Sequence, residues 1–353
     1  MKSKVLATCI LMSAVLLHGC AAPGLGGTVA TPPATTMPVP ITASPAVQAT
    51  QATAGRVEEF FPVQENVRSV YEGVGNEYAS YVSHTEFTKG NKLQLRIDNG
   101  GTVTSRVYKW ENGKLTRVLS VPEAYVRENL LDAPETESEV LLQEPLVVGT
   151  AWDAANGKRT ITGIDVTVQT PTGDYKALEV TTQGADFKTI DYYGKGIGLI
   201  KSVYQSGDFE VVSTLEQIES DAPYLQVIRL YYPGVDGTGR YFREVQLAMM
   251  TNMTLSDAVE EAYMVEPKGK AGRVFTPGTR ILSLKRSADN VIQLDLNQAF
   301  VSERTGSAAY EQGVQAEKVL ITIEGKPYQS NQVSLKEGEA LAVEQTEAQI
   351  IID

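Results

Sequence analysis

Residues 92–101 read Lys92-Leu93-Gln94-Leu95-Arg96-Ile97-Asp98-Asn99-Gly100-Gly101. Apolar and polar side chains alternate from Lys92 to Asp98, the period of a β-strand with one apolar face. Asn-Gly-Gly then ends the run with residues that tolerate positive φ. A second run, 104–110, meets Glu111-Asn112-Gly113-Lys114 and resumes over 115–119. Asn-Gly between alternating runs predicts a tight hairpin. Residues 160–169, 176–182, 188–193, 199–205 and 210–218 keep the same rhythm, with Pro171-Thr172-Gly173-Asp174 as a further turn. Short strands at regular spacing predict an antiparallel, curved sheet over residues 56–221.

Past residue 222 the period changes. Residues 225–232 and 240–248 read as strands around a Gly-rich turn. Leu255, Ala258, Val259, Ala262 and Tyr263 then fall on one helical face. Thr254 is the expected N-cap and Asp257 its capping-box partner. Pro267 and Gly269 end the helix. Strands are expected at 280–286, 291–296 and 319–323, with a short helix at 307–314. The chain is therefore expected to be α+β: a β-rich domain, then a small α/β sandwich at 222–353.

Two resemblances accompany this reading. Phe60-Phe61-Pro62, Gly149-Thr150-Ala151-Trp152 and the Tyr192-Tyr193-Gly194-Lys195-Gly196-Ile197-Gly198-Leu199-Ile200 run are similar to a β-rich domain of bacterial lipoproteins; Ser69 stands where relatives carry tryptophan. Residues 222–353 resemble a GerMN domain of sporulation and germination proteins. The matching elements, in order, are Leu230-Tyr231-Tyr232-Pro233, Arg243-Glu244-Val245, the helix after Thr254, Thr276-Pro277-Gly278-Thr279, the strand Val291-Ile292-Gln293-Leu294-Asp295-Leu296 running on to Phe300, and 319–325. That resemblance implies a sandwich like the ring-building motifs of envelope assemblies, acting in protein–protein assembly and not in catalysis.

The amino-terminal segment bears on location. Lys2 and Lys4 precede an apolar run, 5–17, that is too short to span a bilayer. It ends in Leu17-His18-Gly19-Cys20, which resembles the bacterial lipobox. The resemblance implies cleavage after residue 19 and acylation of Cys20, palmitate among the acyl chains, with the chain held on the outer side of the cell membrane. Residues 20–55 are rich in Ala, Thr and Pro and carry no charge before Arg56, the composition of a disordered tether.

The formal net charge is −12, and losing Lys2 and Lys4 makes it more negative. No basic cluster suits nucleic acid. With the leader removed, Cys20 is the one cysteine and His84 the one histidine. Neither a disulfide framework nor a zinc site can be assembled from these. His84 has no nucleophile motif near it, and the glycine runs at 194–198 and 237–239 lack phosphate-loop spacing. The acids at 135–139 read as solvated loop. No catalytic residue, metal or cofactor is expected. The expected function is an envelope scaffold bound to the membrane through Cys20, with other envelope proteins or copies of itself as partners. The alternative is a carrier or sensor of an apolar ligand, with Tyr78, Tyr81, Tyr108, Tyr192, Tyr193 and Tyr204 as candidate lining.

Overall fold

Twelve antiparallel strands follow one another, most joined by short turns and β5 to β6 by a long connection: β1 (Arg68–Val74), β2 (Tyr81–Lys89), β3 (Lys92–Asp98), β4 (Val103–Glu111), β5 (Lys114–Pro122), β6 (Glu139–Gln143), β7 (Ala151–Ala154), β8 (Gly157–Thr170), β9 (Gly173–Gln183), β10 (Lys188–Gly194), β11 (Gly198–Ser206) and β12 (Phe209–Glu219). The computed structural model describes residues 54–287, 289, 291–301, 318–330, 333–342 and 349–350, all within the compact unit Thr50–Asp353. The expected leader, Cys20, the tether before residue 54 and the helix expected at 307–314 lie outside the described residues.

The strands form one sheet in the order β6-β5-β4-β3-β2-β1-β12-β11-β10-β9-β8-β7. This is two six-stranded meanders joined by the β1–β12 ladder, in which Arg68 faces Glu219 and the two side chains pair at 3.2 Å. The end strands β6 and β7 come together on the far side. There Trp152 Nε1 donates to the Val140 carbonyl at 3.0 Å, and Arg159 pairs with Glu139 at 2.8 Å. The sheet is thus nearly closed into a barrel.

One end is plugged. The short helix α1 (Val57–Phe60) inserts Val57 and Phe60 among Trp110, Leu115, Leu142, Leu146 and Trp152. Glu59 holds the plug in place: Lys195 pairs with its carboxylate, and Gly196 N–H donates to its carbonyl at 2.7 Å. Elsewhere the β8–β9 hairpin brings Val168 and Ala177 against Tyr71, Ile200 and Leu215.

The outer face of β2–β5 is covered in turn by the β5–β6 connection, which packs Leu131 on Phe87, Val107, Val118 and Leu119. Beside that cluster lies a buried polar one. A bulge in β2 turns Glu86 inward under this cover. Glu86 is fully buried and accepts from Gln94 (2.7 Å), Arg96 (3.2 Å) and Ser105 (3.1 Å). Arg127 of the β5–β6 connection donates to the Glu86 carbonyl and to the carbonyls of Met250 and Met253. Those carbonyls belong to the turn after β14 (Arg240–Met249), which with β13 (Tyr224–Pro233) begins the carboxy-terminal portion.

That portion contains the helix α2 (Leu255–Met264), then β15 (Ile281–Arg286), β16 (Val291–Leu296), a 3-10 turn (Gln298–Phe300), β17 (Lys318–Ile323), β18 (Lys326–Pro327), β19 (Leu341–Ala342) and β20 (Gln349–Ile350). Thr254 and Asp257 make the expected capping box. β13, β14 and β20 form one sheet and β15–β19 another. Leu230, Leu247, Val259, Tyr263, Leu294 and Ile321 meet in one core between them.

The α+β expectation is corrected: the chain is mostly β. The 3.6-residue period at 255–263 is a true helix signal, but α2 is the one described helix longer than four residues. The strands on either side of it do not make a single helix-covered sheet, so the expected small α/β sandwich is not the architecture. They split into two small sheets that share a core with α2. The first sheet goes beyond curvature to near-closure, because its end strands are adjacent in sequence and bonded through side chains. Among the described residues no helix is long and apolar enough to cross a membrane, which leaves strands out of account.

Candidate functional site

Alternation puts every second side chain of each strand inside the barrel. The plug fills one end, and a cavity of about 610 Å³ occupies the rest. Next to the plug its wall is Phe61, Leu93, Tyr108 and Tyr193, with the Phe61 ring 5.3 Å from Tyr108. Midway the lining mixes apolar Leu95 and Ile97 with Ser83, Arg106, Asp191 and Ser202. At the far end Asn76, Tyr78, Asn99, Tyr204 and Phe209 surround it.

The far end is aromatic and open to solvent. Tyr78 is 52% exposed and Phe209 51%. Tyr204 stacks on Phe187 at 5.6 Å and meets Phe209 edge-on at 6.5 Å. The Tyr78 ring lies against the Gly101 backbone, where any Cβ would stand 2.5 Å from it. Gly75 turns the β1–β2 connection at φ +91, with no room for a side chain beside the Glu210 carbonyl.

The middle of the cavity carries the chemistry. Tyr71 and Tyr81 stack at 4.2 Å, and the Tyr71 hydroxyl donates to the Leu199 carbonyl at 2.8 Å. Burial pushes both phenols above their ordinary range, so they remain protonated donors. Asp191 accepts from Ser202 Oγ at 2.6 Å. Enclosure raises its carboxyl from the ordinary aspartate value, against the pull of that hydrogen bond and of Arg159. Three arginines line the wall. Arg117 is bound to Glu137 at 2.7 Å and Arg159 to Glu139 at 2.8 Å. Arg106 has no carboxylate partner among the described residues, and its buried Nε has no hydrogen-bond partner.

Of the tyrosines expected to line a cavity, Tyr78, Tyr81, Tyr108, Tyr193 and Tyr204 do so; Tyr192 faces away. Tyr71, Arg106, Asp191 and Ser202 escape the sequence reading, because a polar residue in an alternating strand reads as solvent-facing. The cue for Arg106 is its phase: it alternates with Tyr108 and Trp110. Cys20 lies outside the described residues. His84 is on the outer face of β2, edge-on to Tyr224 at 5.2 Å, away from the Ser202–Asp191 contact. The glycine run 194–198 is the β10–β11 turn, and 237–239 lies in the β13–β14 turn. Glu135 and Glu137 are not free carboxylates, since Lys92 (3.0 Å) and Arg117 (2.7 Å) pair with them. Among the described residues no three His, Cys, Asp or Glu side chains converge as a metal site would require. The arrangement suits enclosure of an apolar molecule with a small polar part at mid-barrel.

No protein-family model and no curated protein matches the chain. Two solved structures are similar to part of it. One is a Bacteroides fragilis NCTC 9343 protein described as exported, with a YmcC-like fold: 12% identity over 46% of this chain and 99% of that one, TM-score 0.29. The other is a Parabacteroides distasonis ATCC 8503 protein described as a lipoprotein: 11% identity, 45% and 98% coverage, TM-score 0.26. At these scores neither likeness assigns a fold or an activity to the chain.

Proposed function

We propose that this chain is an envelope lipoprotein, anchored through Cys20, whose barrel holds one apolar or amphipathic small molecule as a carrier or sensor. The observation that carries this reading is the cavity of about 610 Å³ inside the twelve-stranded sheet. Sites for small molecules run to roughly 300–1,000 Å³ and are mostly apolar with a few placed polar groups. The two ends of the barrel support it too. One is sealed by Phe60 and Phe61, and the other is ringed by exposed aromatic side chains suited to an apolar entrant. The barrel is not read as a membrane pore: exposed Glu72, Lys158 and Glu216 stand on its outer face, where lipid would meet apolar residues. In this reading residues 222–353 brace the barrel through Arg127 and Glu86. The assembly role and the link to sporulation or germination rest on the GerMN resemblance alone.

The test is native mass spectrometry of residues 20–353 carrying Cys20→Ser, so that no detergent is needed. A lipid-sized adduct on the monomer, released on denaturation, is the expected result. A chain that stays bare after incubation with an envelope lipid extract contradicts the reading.

A further inference from the structure

We infer that the polar end of the ligand is a single anion, a carboxylate or a phosphate monoester, and that Arg106 is its counter-charge. This rests on the ligand-binding reading above. Of the three cavity arginines, two already have carboxylates: Arg117 has Glu137 and Arg159 has Glu139. Arg106 has none among the described residues, and its Nε is buried without a partner. An enclosed guanidinium without counter-charge is unfavourable, and a bound anion removes that penalty while gaining charge-assisted, bidentate hydrogen bonds.

Position supports the assignment. Arg106 stands on β4 opposite Leu95 of β3, midway between the plug and the aromatic mouth. Apolar side chains at the plug therefore flank it on one side and the aromatic rings of the mouth on the other. The Tyr81 phenol lies within its electrostatic reach and supplies a protonated donor nearby. Asp191, the acidic group in the lining, is engaged by Ser202 and lies under the influence of Arg159. A second anionic group on the ligand would meet that carboxyl, so one charged head fits and two do not.

The experiment uses residues 20–353 with Cys20→Ser, loaded with the neutral fluorescent probe N-phenyl-1-naphthylamine. Hexadecanoate, hexadecanamide and a lysophosphatidic acid of the same chain length are titrated as competitors. The expected result is about tenfold tighter displacement by at least one anion than by the amide, the scale of one charge-assisted contact. The better of the two anions tells a free carboxylate from a phosphate head. Arg106→Met should bring anion and amide together while leaving the amide within about twofold, and Arg106→Lys should restore part of the gap. Equal displacement by all three in the unsubstituted chain overturns the inference and leaves the ligand reading standing, and needs no folded variant. A preference that survives Arg106→Met also overturns it. If neither probe nor competitors bind at all, the ligand reading falls with it.

Discussion

Trp152 and Val140 sit on the two strands that end the sheet, and the indole Nε1–H of the first donates to the carbonyl of the second at 3.0 Å. No ladder joins β6 and β7 among the described residues, so side chains do there what backbone pairing does elsewhere in the barrel. Arg159 reinforces the seam by donating to the same carbonyl and pairing with Glu139. The two ends of the sheet thus meet at the middle of its sequence, while its first and last strands, β1 and β12, are ordinary neighbours.

Trp152→Phe should keep the packing with Ile161 and Leu142 but lose the hydrogen bond. The expected cost is about 1 kcal/mol, against about 3–5 kcal/mol for Trp152→Ala, which also leaves a cavity. Urea unfolding of both variants checks this. Equal costs would mean that the seam is held by packing alone.

Glu86 predicts a larger loss. Among the described residues it is the one carboxylate in contact with two buried guanidiniums, Arg96 at 3.2 Å and Arg127 at 4.0 Å. Glu86→Gln keeps the shape and removes the charge, leaving both cations uncompensated. On the order of 3 kcal/mol should be lost. The double variant Glu86→Gln/Arg96→Met should recover part of it, since the two effects share one network. Denaturant midpoints of the two singles and the double decide the matter. Strict additivity would show that the pair does not act together.

These two sites also show what the sequence could and could not reveal. In the run 92–98 the alternation is a real strand, and Leu95 and Ile97 do turn to one side. The expectation fails on the other side: Gln94 and Arg96 are buried, because the β5–β6 connection and Tyr224 cover that face. Alternation assigns two faces but not which face meets water. Arg106 and Asp191 are missed for the mirror reason, since the inside of a wide barrel can carry charge. By contrast, the box at Thr254 is local chemistry within four residues, and it is legible in full. The closure at Trp152 depends on residues twelve apart that pair through one side chain, for which no periodic signal exists.

His84 should govern part of the acid response. Burial, then the charges of Arg68, Arg96 and Arg127, lower its pKa from 6.5 to about 4. It is neutral in the fold at pH values where the unfolded chain would protonate it. The unfolded state then binds more protons, so stability rises with pH through this window. The contribution is in place above about pH 6.5 and is lost as pH falls from there toward 4. His84→Gln should flatten the stability profile between those values. His18, the other histidine, precedes Cys20, so the loss of slope belongs to His84. An unchanged profile in the variant would assign the acid response to carboxylates instead.

Filling the cavity separates its function from its folding. Ser83 of β2 and Ile97 of β3 face each other in register, and both line the middle of the barrel. Neither Ser83 Oγ nor the Ile97 side chain is tied into the hydrogen-bonded groups around Asp191 or Glu86. Ser83→Phe with Ile97→Trp therefore adds two rings to empty space and removes no interaction that holds strands together. Overpacking would cost about 1–3 kcal/mol in a dense core, but the void beside these residues gives the new rings room. The expected outcome is an unfolding midpoint close to that of the unsubstituted chain, with loss of the lipid-sized adduct in native mass spectra. A single substitution leaves more of the volume open and should weaken binding by a smaller factor. Retention of the adduct at full occupancy in the double variant would place the ligand outside the barrel, and the aromatic mouth at Tyr204 and Phe209 would become the surface to probe.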